Sequence, residues 1–122
     1  MSQFVTLLVE DDALQREVMA DLLRDEGFEV IECSTGEAAE LVVATSGTEL
    51  RALITDNGLA GKMTGVELAE YARGRHPNMN IIIMSGRQVT SLPSHATFLY
   101  KPFAPVRLLE AVRGSGGGVR IL

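Results

Sequence analysis

Short, nearly unbroken apolar runs alternate along this chain with stretches whose apolar residues recur every three or four positions. Residues 4–9 (Phe-Val-Thr-Leu-Leu-Val) form the first run, as expected of a strand covered on both faces. Runs at 28–33, 51–55, 81–84 and 97–100 predict four more strands, the one at 81–84 being densest in β-branched residues. Leu14, Val18 and Leu22 recur at four-residue spacing with Leu23 beside them, which predicts a first helix stopped by Gly27. Further helices are expected over 38–44 and 66–72, and a last one runs from Pro105, in its first turn, through Val112. Asp12 with Gln15, Ser34 with Glu37 and Thr64 with Glu67 read as capping boxes at three of these starts.

Alternating strand and helix predict an α/β fold, a five-stranded parallel sheet with helices on both faces. Two stretches interrupt the pattern. Residues 86–96, with Gly86 at one end and Pro93 inside, stand where a crossover helix is expected, so the fourth helix is shortened, irregular or partly lost. Arg87, Gln88, Thr90 and Ser91 offer little to bury, which predicts few packed contacts and low local stability there. The sequence Gly-Ser-Gly-Gly-Gly at 114–118 reads as a linker or frayed end, dividing the chain into a domain at 1–113 and a glycine-rich tail at 114–122.

Bulk properties narrow the class. A length of 122 residues supports one domain with its own core. Cys33 is the only cysteine, so no intrachain disulfide forms, a reducing compartment is expected, and the residue reads as core filler. A net charge of −5 argues against direct binding to nucleic-acid phosphates. The apolar runs are too short to cross a bilayer, and the N-terminus opens into a strand rather than a signal peptide. The expectation is a cytoplasmic domain, in contact with neither membrane nor nucleic acid.

Three strands are followed directly by residues that carry chemistry: Glu10-Asp11-Asp12, Thr55-Asp56 and Lys101-Pro102. In an open parallel sheet the carboxyl ends of the strands border the binding crevice. Carboxylates gathered there oppose one another's ionisation, and a hard divalent cation with oxygen ligands relieves the repulsion. The cluster reads as a magnesium-loaded aspartate able to take up a phosphoryl group.

With Ser85 after the fourth strand, these marks make the chain resemble the response-regulator receiver domains of two-component signalling, over residues 4–112. The resemblance implies a doubly wound, flavodoxin-like fold. It implies Asp56 as nucleophile and phosphoryl acceptor, forming an acyl phosphate. Asp11 would bind Mg2+ directly and Glu10 through water, with Asp56 and the carbonyl of Gly58 as further ligands, while Asp12 stays a helix cap. Ser85 and Lys101 would hydrogen-bond the phosphoryl oxygens. Ser85 with Phe98 would form the switch, and Pro102 falls on the family's cis-proline. Read singly, Ser85 is a turn serine, Lys101 a snorkelling surface lysine and Phe98 a packed strand residue.

The implied partners are a sensor histidine kinase or histidine phosphotransfer protein as phosphodonor, and an unidentified downstream protein. Such a domain catalyses its own phosphorylation and dephosphorylation and is not a metabolic enzyme. The chain departs from the family in four places. Ala60 replaces a proline, in a loop one residue longer than usual. Gly58 gives the phosphoryl group no shield, and Arg87 reaches over it; both positions tune its lifetime. The shortened 86–96 segment removes much of a common dimer face. An alternative is the regulatory part of a longer DNA-binding transcription factor. A phosphatase of the haloacid-dehalogenase type shares the chemistry, but it carries its nucleophile after the first strand and its paired acids late.

Overall fold

The computed structural model describes residues 5–46, 49–114 and 120–121. In chain order these form β1 (Val5–Val9), α1 (Ala13–Asp25), β2 (Glu29–Cys33), α2 (Gly36–Ser46) and β3 (Leu50–Asp56). Then come α3 (Gly65–Arg75), β4 (Asn80–Ser85), β5 (Thr97–Tyr100), α4 (Pro105–Arg113) and β6 (Arg120–Ile121). The sheet order is β2-β1-β3-β4-β5-β6, and every pairing is parallel. This is the predicted flavodoxin-like α/β sheet of five strands, with one short strand added at its edge.

Successive residues of a strand face opposite sides, so the apolar runs build two cores at once. Leu7, Val9, Leu53, Ile81, Ile83 and Phe98 pack with Ala39 and Val43 of α2 and Leu68, Ala69 and Ala72 of α3. Leu8, Ile54, Ile82, Met84 and Leu99 pack with Met19, Ala20 and Leu23 of α1 and Leu108, Ala111 and Val112 of α4. Chain direction across the sheet reverses at β1, between β2 on one side and β3 on the other. A crevice opens at such a switch point, beyond the carboxyl ends of β1 and β3.

Helix ends follow local chemistry, with two corrections to the sequence reading. Asp12 caps α1 by accepting from the Gln15 N–H at 2.9 Å. Gly27, at φ +94°, ends it: its N–H bonds the Arg24 carbonyl and the Phe28 N–H bonds that of Leu23, a Schellman arrangement. Thr64 and Glu67 form the expected reciprocal box at α3. At α2, however, the cap is Thr35 rather than Ser34, its hydroxyl accepting from the Ala38 N–H at 3.1 Å. On α1 the row Leu14–Val18–Leu22 is not the core stripe; Leu14 and Val18 are 69% and 60% exposed, while Met19, Ala20 and Leu23 are buried. Polar anchors set this rotation. Arg16 and Arg24 both reach Glu32 of β2, and Arg24 also donates to the Val30 carbonyl.

Between β4 and β5 the shortening is complete: residues 86–96 hold bends and turns but no helix. In its first part Gly86, Arg87, Gln88, Thr90 and Ser91 are exposed, as expected, but Val89, like Leu92 after it, packs partly buried against the α2–α3 core. The second part is better held than the sequence predicts, because Pro93 and Ala96 are buried and Arg73 stands in for the missing helix. The Arg73 guanidinium donates to the carbonyls of Ser94 (2.9 Å), Pro77 (3.0 Å), Met79 (2.6 Å) and His95 (3.4 Å). β6 pairs Arg120 with Thr97 and Ile121 with Phe98, so these residues of the expected tail add to the sheet. Residues 115–119 and 122 of that tail lie outside the described residues.

This clamp predicts a divided segment: amide exchange should be fast over 88–91 and slow at Ala96, whose N–H bonds the Pro93 carbonyl. Arg73→Ala should erase the difference and cost about 1–3 kcal/mol in denaturant unfolding, since several carbonyls lose a charged donor. Unchanged protection at Ala96 in that variant would assign the anchoring to Pro93 alone.

Candidate functional site

Four of the residues singled out from the sequence meet at the switch point. Glu10 follows β1 and is only 2% exposed; its Oε1 accepts from Lys101 Nζ at 2.9 Å. The same Nζ lies 2.9 Å from Oδ1 of Asp56, the last residue of β3, whose side chain is 13% exposed. Oxygens of Glu10, Asp11 and Asp56 all lie within 4.8 Å of one another. The site therefore joins three carboxylates to one ammonium.

Burial and charge decide the protonation tendencies. Burial pushes the Glu10 carboxyl up from its ordinary value, against the pull of Lys101 and the Asp12 N–H, and the Asp56 charge adds to the rise. Burial alone would lower Lys101, but its bonds to Asp56 and Glu10 outweigh that and raise it. Lys101 is thus held as the cation that makes crowded acids tolerable. Hard anionic oxygens at this spacing fit a magnesium ion well.

Backbone bonds lock the rim. The Glu10 N–H donates to the Cys33 carbonyl, its own carbonyl accepts from Arg16 Nη1 at 2.7 Å, and its Oε2 accepts from the Asp12 N–H at 3.2 Å. The Asn57 N–H bonds the Met84 carbonyl, and the Lys101 N–H bonds that of Ser85. Lys101–Pro102 is a cis peptide, as the resemblance implied. Gly58 lies beside the Asp56 carboxylate: a Cβ there would stand 3.8 Å from its Oδ2, an ordinary contact.

Other predicted residues stand further from the cluster. Ser85 ends β4, and its hydroxyl accepts from the Arg87 N–H at 3.0 Å, a turn contact. Phe98 is buried on the α2–α3 side, with its ring edge-to-face on Tyr100 at 4.6 Å. Asp12 is the cap and not part of the acidic triplet.

Sequence reading missed three contributors. The Gln15 side chain accepts from Lys101 Nζ at 3.0 Å instead of closing a capping box. Glu37 takes the N–H groups of Lys62 (2.9 Å) and Met63 (3.2 Å), docking the loop that follows Asp56 onto α2, beside a bridge between Thr35 and Ala60. Asn57 folds that loop back, its carbonyl accepting from Gly65 and its side chain from the Val66 N–H. Gly65 makes the close approach possible: a Cβ there would meet the Asp56 carbonyl oxygen and, at 2.8 Å, Asn57 Cα.

A family model for the response regulator receiver domain matches residues 6–113. The chain belongs to this family. Among curated proteins it is 34% identical over 112 residues to the response regulator protein FleR of Pseudomonas aeruginosa, covering 87% of this chain and 23% of that one. It therefore spans about a quarter of that relative's length. Among solved structures, the receiver domain of the hybrid histidine kinase CckA is 33% identical with a TM-score of 0.78, covering 89% of this chain and 95% of that one. A response regulator receiver protein from Sinorhizobium medicae is 30% identical with a TM-score of 0.83, covering 90% and 91%. Within this receiver, no helix of the described residues is long and apolar enough to cross a membrane.

Two outcomes follow from the loop around Asp56. The Lys62 N–H, foremost among the bonds it accepts, holds the exposed Glu37 carboxyl of this receiver below its ordinary 4.5. A lowered carboxylate stabilises above that ordinary value and loses its contribution as pH falls through the folded one. Amide protection at Lys62 and Met63 should therefore persist at neutral pH and drop in acid; Glu37→Gln should lack the acid step. Gly65→Ala should lower stability by about 1–3 kcal/mol, because backbone, not a flexible side chain, blocks the new methyl. A thermal melt matching the parent would show that the loop yields freely.

Proposed function

We propose that this receiver accepts a phosphoryl group on Asp56 and passes the change to a protein partner. The observation that supports this most directly is Lys101 Nζ, 2.9 Å from both Glu10 and Asp56 at the mouth of the crevice. Asp11 and Asp56, with the carbonyl of Gly58, would hold Mg2+ directly, and Glu10 would hold it through water. When bound, the ion neutralises charge on the transferring phosphoryl oxygens.

The Asp56 carboxylate oxygen attacks phosphorus, the bond from phosphorus to the donor's nitrogen or oxygen breaks, and the leaving group takes up a proton. Lys101 donates to one phosphoryl oxygen, and Ser85 turns its hydroxyl from the Arg87 N–H to another. Attack of water on phosphorus later returns phosphate and the free carboxylate. Gly58 and Arg87 are the positions that set how long the acyl phosphate lasts. The donor is the phosphohistidine of a sensor kinase or phosphotransfer protein. Leu14 and Val18, exposed beside Lys101, Pro102 and Phe103, offer the apolar surface on which that donor docks.

We place the receiver unit at 1–113, with Arg120 and Ile121 of the tail paired onto its sheet, and the protein in the cytoplasm. A second reading is favoured by the 23% coverage of the curated relative: the unit works as the regulatory part of a longer regulator. An immunoblot of the native protein's mass separates the two.

Incubation with Mg2+ and acetyl phosphate should give an acid-stable, base-labile adduct on Asp56, and Asp56→Asn should abolish it with the fold intact. Full labelling of that variant would place the acceptor elsewhere. Asp11→Ala should instead lose Mg2+ binding. Lys101→Ala should still label, more slowly, and lose the amide-shift response at Ser85 and Phe98; a parental response would remove the lysine as the relay.

A further inference from the structure

An ammonium has three donors, and Lys101 spends them on three oxygens: Glu10 Oε1, Asp56 Oδ1 and Gln15 Oε1, the last at 3.0 Å. Building on the phosphoacceptor reading above, we infer that Gln15 is a positioning residue that holds the Lys101 ammonium at the mouth of the site. Two of the three acceptors are carboxylates of the acidic triplet, whose bonding changes when a cation or a phosphoryl group arrives. The Gln15 amide is neutral and does not titrate. It is the anchor whose chemistry stays the same at every stage.

The local wiring shows why Gln15 is available. In a reciprocal capping box the glutamine side chain would accept from the N–H of Asp12. That N–H already donates to Glu10 Oε2 at 3.2 Å. Glu10 therefore completes the cap in place of Gln15, whose own N–H remains tied to Asp12 Oδ1 at 2.9 Å. Its backbone is fixed on the first turn of α1, and its side chain reaches across to β5's lysine.

The position matters as much as the bond. Without Gln15, the flexible lysine would be held by the two carboxylates alone, with no anchor outside the acidic triplet. Held also from α1, the ammonium is drawn toward the crevice opening, where phosphoryl oxygens must arrive. Gln15 touches no reacting atom in this role; it acts through Lys101.

Gln15→Met keeps length and helix propensity but removes the acceptor, whereas Gln15→Glu keeps an acceptor oxygen. With acetyl phosphate and saturating Mg2+, the Met variant should label about tenfold more slowly, the effect of losing one hydrogen bond to a charged group. Its half-saturating Mg2+ concentration should match the parent's. In metal-free protein, the Lys101 side-chain ammonium resonance should be observable in the parent, lost to solvent exchange in Gln15→Met, and regained in Gln15→Glu together with most of the rate. A Met variant with parental rate and parental ammonium signal would overturn the inference, as would a rate loss that Gln15→Glu does not rescue. An unlabelled parent would overturn the phosphoacceptor reading instead, and the ammonium signal would still decide the anchorage.

Discussion

The ion contact of Lys101 with the buried Glu10 and the half-buried Asp56 is the constraint around which the rest of the molecule is arranged. Chain topology creates the problem it solves. A parallel sheet that reverses direction at β1 delivers the ends of β1 and β3 to one crevice, and in this chain both ends are acidic. Glu10 is withdrawn from water, so its charge has to be compensated locally. Removing Lys101 would leave the buried Glu10 charge without its cation. The lysine arrives from β5, two strands beyond β3, and the bond from its N–H to the Ser85 carbonyl fixes where its side chain starts.

Around that contact the polar groups divide their work so that none is used twice. Glu10 sends one oxygen to Lys101 and the other to the Asp12 N–H; Asp12 serves α1; Gln15 is left to Lys101. On the far side of Asp56 a different set acts on the loop. Glu37 holds it from α2, Asn57 folds it, and Gly65 lets the start of α3 come up against the end of β3. Asp56 is thereby fixed through its neighbours' backbones while its carboxylate stays in reach of solvent.

The sequence made the sheet and most of the site legible because both depend on local signals. Continuous apolar runs marked the strands, Gly27 and the Thr64–Glu67 box marked helix ends, and each residue of the acid–lysine cluster stood at the end of an apolar run. What stayed hidden depends on distance along the chain. Glu37 reads as an N-terminal helix residue until its partners 25 and 26 positions away are known. Gln15 matched a capping pattern, and its actual partner is 86 positions distant. The exposed row Leu14–Val18 had the spacing of a core stripe, since periodicity gives a face but not which way it points. Arg73 carried no motif, although it replaces a whole helix by bonding carbonyls from two loops.

That replacement changes how a signal could leave the site. A regular helix after β4 would move as a rod and carry displacement to its far end. Here the chain from Ser85 is tethered at once, by the serine's hydroxyl to the Arg87 N–H, and again where Arg73 grips the carbonyls of Ser94 and His95. Between these points Gln88, Thr90 and Ser91 are exposed and have room to rearrange, while Val89 and Leu92 pack against the α2–α3 core. Breaking the Ser85–Arg87 contact would release its first tether and leave the second in place. Any response is then confined to a short surface loop, bordered by the Phe98–Tyr100 ring pair on β5. On the proposed phosphoacceptor reading, a change at Ser85 is therefore local to this loop and has no helix to carry it further.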